Sequence, residues 1–461
     1  MATRVSLRRY PSPVVTGSGY AGLNSSNAVG WFFSLGAFTA LLAAVIALNS
    51  FKVGGLPIRA FATVGVLGIV GLLYTDKAAD VFKRNTLLLT MALALAALGG
   101  FVSLIYGTSI SNIGQALMEV HLQAMVTILA AGILARVCGA KAAATAIIAV
   151  VALSAAVAAL QMLGFHQAWD LRKALGPLPA EALEGVKKGA LRPSGLSFSP
   201  IQLSTQLCLA FAAFAAVRDK VRKPSKAGVK PDPLILLGLI GLCAASFAVE
   251  TRAPVVGAMI FLVIYAISRR SAGFALLLIM GGAFVYFVGP TLLAAIQGHA
   301  PRMTKVDDNS AVGRFTMAYY GIRLFLDNPL GYGLAFDPAG MWGKYWFDLY
   351  TMPAPMVVQV HDLHNFVLSM MNIYGVGLLL LAPLAWKLLR QSGGSLIFFI
   401  PYIFQILFHN SGPFYNDNLI WFVIAAIAAA NVNAGTEVLA HVRAGGRKFA
   451  LVRHTGRAAQ R

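Results

Sequence analysis

The sequence predicts an all-α integral membrane protein of about twelve transmembrane helices, with a long outer loop that carries short helices. Three observations carry that prediction. Of 461 residues, 58% are hydrophobic and only 12% are charged, against roughly 25% charged in an ordinary soluble domain. The apolar residues gather in runs of about 20, the length at which a helix spans hydrocarbon while satisfying its own backbone. Lysine and arginine punctuate those runs instead of collecting on a water-facing module. The formal charge of +20 therefore reads as membrane topology and argues against nucleic acid as a partner.

Twelve segments qualify as spans: 30–49, 56–75, 85–105, 115–135, 142–164, 200–217, 234–250, 253–268, 274–297, 366–386, 395–410 and 417–434. Lys and Arg accumulate in short cytoplasmic segments, and this set obeys that rule when both termini are cytoplasmic. Most of the 37 basic residues then lie inside. They include Arg4, Arg8 and Arg9, the segments 76–84, 136–141, 218–230, 269–273 and 387–390, and a basic tail over 435–461. Of the acidic residues only Asp76, Asp80, Asp219, Asp232 and Glu437 share that side. The first apolar run exceeds a signal-peptide core and lacks a small-residue cleavage site, so it is read as a retained span. Residues 1–461 form one polytopic membrane domain. Cys208 and Cys243 lie in spans and Cys138 at a cytoplasmic helix end, an arrangement that predicts no disulfide.

Two outer loops, 165–199 and 298–365, are too long to be connectors. In the second, Phe315, Tyr319, Ile322 and Phe325 fall at helical spacing before a stop at Asp327-Asn328-Pro329. The spacing predicts an amphipathic helix that lies on the membrane or packs the loop against the protein. The basic loop 218–230 needs only topology and attraction to anionic lipid.

Charge close to an outer membrane face is costly without a partner and commonly serves a substrate. Three stretches stand out: Arg192-Pro193-Ser194-Gly195-Leu196-Ser197-Phe198-Ser199-Pro200, the tight turn Glu250-Thr251-Arg252-Ala253-Pro254, and His361-Asp362-Leu363-His364-Asn365-Phe366. A lone arginine at a helix end more often snorkels to lipid phosphate. Two beside constrained turns suit a diphosphate instead, because each guanidinium is permanently charged and grips phosphate oxygens as a fork. Such a pair neutralises a leaving group without a metal. His361 and His364 form an i, i+3 pair with no clear third ligand, so no metal is expected there. An imidazole at that position, where a water-exposed loop meets lipid, reads equally as a plain interfacial residue or as a functional group that takes a proton or positions a hydroxyl, and Asp362 is placed to cap the helix that follows. No Gly-rich phosphate loop and no outer Asp-x-Asp pair occurs in the sequence, and the spans hold few ionisable groups beyond Glu119 and His121. An ion-coupled transporter ordinarily needs more at mid-membrane.

At these residues the chain resembles the O-antigen ligases, within the superfamily that also holds O-antigen polymerases and protein O-oligosaccharyltransferases. The resemblance covers about residues 190–385. It rests on Arg-Pro-Ser-Gly-Leu-Ser-Phe-Ser-Pro, the Glu-Thr-Arg-Ala-Pro turn, the run from Arg314 through Asn328-Pro329-Leu330-Gly331-Tyr332-Gly333, and His364-Asn365 followed by Tyr374-Gly375-Val376-Gly377. It implies a fold similar to the C-type glycosyltransferases, set in the bacterial inner membrane with its active site at the periplasmic face. The implied reaction moves a polysaccharide from undecaprenyl diphosphate to lipid A-core, with inversion and without a cofactor. Carried over residue by residue, Arg192 and Arg252 match the diphosphate-binding arginines and His364 the loop histidine. Arg314 matches a recurrent family position, and Glu250 and Asn365 stand beside the matched residues as possible supports. A polymerase or protein O-oligosaccharyltransferase fits the same arginines, and a lipid-linked glycan flippase is the alternative of a different class.

Overall fold

The computed structural model describes residues 25–48, 51–53, 56–176, 192–221, 232–269, 309–359 and 361–431. The N-terminal tail, the expected span 274–297, most of the basic loop 218–230, the tail 435–461 and the stretches 177–191 and 298–308 lie outside the described residues.

Long runs of apolar, helix-compatible side chains set the element order. In chain order the helices are α1 (Ser25–Ala47), α2 (Ile58–Leu73), α3 (Thr75–Ile105), α4 (Ile110–Cys138), α5 (Ala140–Met162), α6 (His166–Ala174) and α7 (Pro200–Val221). There follow α8 (Pro233–Ala248), α9 (Ala253–Arg269), α10 (Asn309–Asp327), α11 (Phe366–Ser392), α12 (Gly394–Ile406) and α13 (Leu419–Asn431). A two-residue antiparallel ladder, Lys52–Val53 with Leu56–Pro57, closes the turn between α1 and α2. Six helices, α1, α3, α4, α5, α7 and α11, are long and apolar enough to cross a membrane, and α2, α8, α9, α12 and α13 are shorter apolar helices. Each of the eleven predicted segments that fall on described residues thus contains an apolar helix.

The outer faces of these helices stay apolar: Leu72, Ile110 and Leu380 are 82%, 80% and 78% exposed. Helices that are apolar all round belong in an apolar surrounding, and the chain is accordingly a helical membrane protein. Inside, α4, α5 and α7 meet through alanines such as Ala131, Ala143, Ala212 and Ala216, whose small side chains let backbones approach where lipid gives no hydrophobic drive. Cys138 and Cys208 are buried free thiols and Cys243 a half-buried one.

The two ends of this bundle differ. At one, Asp80 pairs with Arg84 at 2.8 Å and Arg136 at 3.5 Å. Asp232 there pairs with Arg218 at 2.8 Å and caps α8 by accepting from the Leu234 amide. The other end carries a cap built from α10 and the short helical turns between Pro338 and Gln359. The cap has its own core of Met317, Tyr320, Leu324, Tyr332, Tyr345, Leu349, Val358 and Leu363. α10 ends at Asp327 as its sequence predicts, and the predicted stripe is split, with Tyr319 half-buried against the cap core while Phe315 and Ile322 face out. Phe315 and Ile322 are 65% and 48% exposed, whereas Met317, Tyr320 and Leu324 are buried. Both faces of this helix are rich in large apolar residues, and the inward one is the face that meets the tyrosines of the cap.

Backbone pairing docks the cap onto the bundle. Tyr332 N and Gly333 N donate to the carbonyls of Asn372 and Ile373, and Val376 N donates to that of Pro329. The two motifs Asn-Pro-Leu-Gly-Tyr-Gly and Tyr-Gly-Val-Gly therefore touch directly. Gly375, at φ 61, permits this, since a Cβ there would run into the backbone of Leu330. The Ser103 hydroxyl accepts from Leu334 N at 2.7 Å and ties the cap to α3.

Candidate functional site

The stretch that bears Arg192 is held by polar side chains at helix ends. Gln161, at the end of α5, accepts through its Oε1 from Ser194 N at 3.0 Å and Gly195 N at 2.9 Å, and its Nε2 donates to the carbonyls of Ala168 and Gly195. The Ser154 hydroxyl accepts from Leu196 N, and the buried Arg172 of α6 donates to the carbonyls of Ser197 and Gly176. Ser197 donates to Gln206 of α7 at 2.6 Å. Only glycine fits at position 195, where φ is +60 and a Cβ would strike the Ser154 carbonyl. Each buried polar group in this clamp that found no partner would cost on the order of 1–3 kcal/mol, so the loop has one well-defined path.

That path delivers Arg192 to the second predicted stretch. Its Nη2 donates to the Glu250 carbonyl at 2.8 Å across 58 residues of sequence. Glu250 sits at φ 54, a left-handed conformation uncommon for a non-glycine residue. Arg252 follows two residues later, after Thr251, and its carbonyl accepts from Val255 N and Val256 N, so it forms the N-cap of α9. Arg192, Glu250 and Arg252 are all half-buried.

The third stretch lies where the cap re-enters the bundle. His364 Nδ1 lies 2.9 Å from the Asp362 carbonyl. A carbonyl can only accept, so Nδ1 carries the proton and Nε2 of the neutral ring carries the lone pair. The residue that caps α11 is Asn365, whose Oδ1 accepts from Leu368 N at 3.0 Å, and not Asp362. Asp362 instead accepts from Asn410 Nδ2 at 3.0 Å. Although this side chain keeps contact with solvent, protein atoms crowded round it push its carboxyl above the ordinary carboxylate range. The His361 and His364 rings stand edge to face at 5.5 Å. Among the described residues, no group of three or more His, Cys, Asp or Glu is placed to hold a metal ion.

Asn410 belongs to an element that the sequence reading did not use. α12 ends at Ile406, short of the expected boundary at 410, and residues 407–418 form a turn before α13. Arg314 of α10 lies 5.9 Å from the Phe408 ring in this turn. Protein atoms packed about the His409 ring are the chief reason its imidazole is pushed down to about 3, and the positive charge of Arg314 adds to the effect. His409 is thus a neutral member of the group. The same turn reaches the arginine side of the site. Ser411, Asn416 and Asp417 share a small polar cavity with Gln202 and Gln206 of α7 and with Arg59 at the start of α2.

The predicted residues consequently fall into two groups at one end of the bundle. Arg192, Glu250 and Arg252 form one; Arg314, His364 and Asn365 form the other. The 407–418 turn joins them, and the packing of α9 against α12, with Gly257 set on Pro401 and Phe404, fixes their relation. To Glu119 and His121 the helix ends add two further ionisable groups, Arg59 and Asp417. Both are buried, and Asp417 accepts from the Tyr402 hydroxyl at 2.7 Å. Gln161, Ser154 and Gln206 carried a sequence signal that went unread: hydrogen-bonding side chains near the ends of otherwise apolar spans. His409 and Asn410 stand just beyond such an end.

Chemically, the two groups set guanidinium and imidazole side chains at the same end of the bundle, joined through the 407–418 turn. No protein-family model matches the chain, and the curated proteins contain no match to it.

Proposed function

We propose that the chain is an O-antigen ligase, which transfers a polysaccharide from undecaprenyl diphosphate to lipid A-core at the periplasmic face of the bacterial inner membrane. The observation that carries this reading is the hydrogen bond from Arg192 to the turn preceding Arg252. It brings together two fixed cations from distant parts of the chain, an arrangement suited to a diphosphate. Twelve spans, cytoplasmic termini and periplasmic loops at 165–199 and 298–365 complete the reading.

In the proposed reaction an acceptor hydroxyl oxygen bonds to the anomeric carbon from the face opposite the lipid diphosphate. The anomeric carbon–oxygen bond to the diphosphate breaks, and its electron pair leaves with the phosphate oxygen. Arg192 and Arg252 stabilise the charge that grows there, and no metal is required for that task. The hydroxyl proton passes to Nε2 of His364, which contributes about 10²–10⁴-fold if transfer to it is part of the barrier. Glu250 supports Arg192 through its carbonyl, Asn365 sets the start of α11 behind His364, and Arg314 holds the 407–418 turn against that ring. Much of the work is positioning two lipid-anchored reactants.

A polymerase would use the same diphosphate with a lipid-linked glycan as acceptor, and a protein O-oligosaccharyltransferase would use a protein hydroxyl. A flippase would be expected to line a central path with charge, whereas Arg59 and Asp417 sit at helix ends near the proposed site. Gene deletion followed by lipopolysaccharide gels and a lipid-linked glycan assay tests the assignment. A ligase mutant accumulates long donor chains without capped lipopolysaccharide. Single-repeat capping would make the protein a polymerase, and an unchanged lipopolysaccharide profile would remove it from this pathway.

A further inference from the structure

The cap holds a second feature that the transfer chemistry leaves unused, a cavity of about 400 Å³. Small-molecule sites run from roughly 300 to 1,000 Å³, so the space is large enough for a ligand. Tyr106, just past the end of α3, and Asp327, Tyr332, Gly343, Lys344 and Tyr345 of the cap line it. Two of the tyrosine rings are fixed by their hydroxyls. Tyr332 donates to the Leu324 carbonyl at 2.9 Å and Tyr345 to Asp327 at 2.8 Å. The Tyr106 and Tyr332 rings stand 5.2 Å apart at 78°, forming two walls that meet almost at a right angle. Tyr332 and Tyr345 are only 5% and 4% exposed, while Tyr106 is 48% exposed and forms the rim. Lys344 lies 3.3 Å from Asp327, which places a donor and an acceptor at one side. A Cβ added at Gly343 would meet nothing within 4 Å, so that wall is open.

This chemistry narrows the ligand. The Lys344 ammonium disfavours a cation, the usual guest of aromatic walls. The Asp327–Lys344 pair disfavours an acyl chain, which would strip water from both charges without replacing it. A pyranose has an apolar C–H face for an aromatic ring and a rim of hydroxyls that both donate and accept. We propose that this cavity is a saccharide subsite that holds one pyranose unit of the glycan handled at the neighbouring site. The origin of the sugar rests on the glycan-transfer reading; its recognition rests on the cavity alone.

Saturation-transfer NMR on the full chain, purified in a detergent without a sugar head group, tests this. The probes are methyl glycosides of glucose, galactose, mannose, rhamnose and N-acetylglucosamine at millimolar concentration. At least one should receive saturation, chiefly at the C–H protons of one ring face, and the signal should fall about fivefold or more in Tyr106→Ala and Gly343→Trp. Tyr106 is at the rim, so its variant tests the site even if the tryptophan disturbs folding. His364→Ala should keep the full signal while losing transfer. A panel that gives no signal, or equal signals in the wild type and Tyr106→Ala, overturns the subsite and leaves the transferase reading standing. Sugar binding without transfer by the wild type would sink that reading alone.

Discussion

At one end of the bundle Arg84, Arg136 and Arg218 meet carboxylates; at the other Arg192 and Arg172 meet carbonyls, while on the cap Arg323 pairs with Asp348 at 2.9 Å. Asp80 takes both Arg84 and Arg136, and Asp232 takes Arg218, so positive charge at that end is neutralised by a partner of opposite sign. At the cap end Arg192 donates to the carbonyl of Glu250, Arg172 to those of Ser197 and Gly176, and Arg314 lies over the ring of Phe408. A carbonyl orients a guanidinium without cancelling its charge. The first arrangement fastens helices together. The second holds arginine side chains in place against turns, a geometry that suits the proposed diphosphate.

The sharpest way to break this comparison is to ask which end faces out. In a background lacking Cys138, Cys208 and Cys243, single cysteines at Phe347 and Lys173 should react fully with an impermeant maleimide in spheroplasts, and one at Lys83 only after permeabilisation. The reverse pattern would place the arginine site in the cytoplasm. Next in size are the arginines themselves. Arg192→Ala or Arg252→Ala should slow single-turnover transfer roughly 10²- to 10³-fold. Lysine should restore little, because it keeps the charge but loses the planar fork. Normal rates in both Arg252→Ala and Arg252→Lys would make that residue a lipid-phosphate anchor.

A smaller effect is expected one step back, in the clamp. Gln161→Leu leaves the amides of Ser194 and Gly195 without their acceptor and should lower stability by about 1–3 kcal/mol. Transfer should fall on the order of tenfold through a misplaced Arg192, measured as a raised donor KM with the fold intact by circular dichroism. The smallest effect belongs to the opposite end. Asp80 and Arg84 have side chains 33% and 54% exposed, and Asp80→Asn should cost under about 1 kcal/mol with transfer unchanged. A large loss of transfer there would erase the distinction between the two ends.

How much of this was legible beforehand depended on whether the signal was local. The helical segments were, because burial in lipid demands long apolar runs. The end of α10 was too, since Asp327-Asn328-Pro329 cannot continue a helix. Its inward face was not: Phe315 and Ile322 compete with Tyr320 and Leu324 on apolarity, and only the partner surface decides. Asp362 and Asn365 both have capping side chains, and the start of α11 at Phe366 selects Asn365. The link between Arg192 and Glu250 spans 58 residues, and the Asn410 contact to Asp362 spans 48. Periodicity has no access to either.

The central claim is that an imidazole beside fixed guanidinium charges takes the acceptor proton, and His364 is where it is tested most directly. Guanidinium groups do not titrate near neutrality, whereas an imidazole does. The measurement is single-turnover transfer at saturating donor across roughly pH 5 to 8 for wild type, His364→Ala and His364→Gln, with donor binding followed separately. The account predicts a wild-type rate that rises with pH as the base loses its proton. His364→Ala should bind donor normally and transfer about 10²–10⁴-fold more slowly, and glutamine, which hydrogen-bonds but is no base, should recover little. Wild-type rates in both variants, or a defect confined to donor affinity, would contradict it.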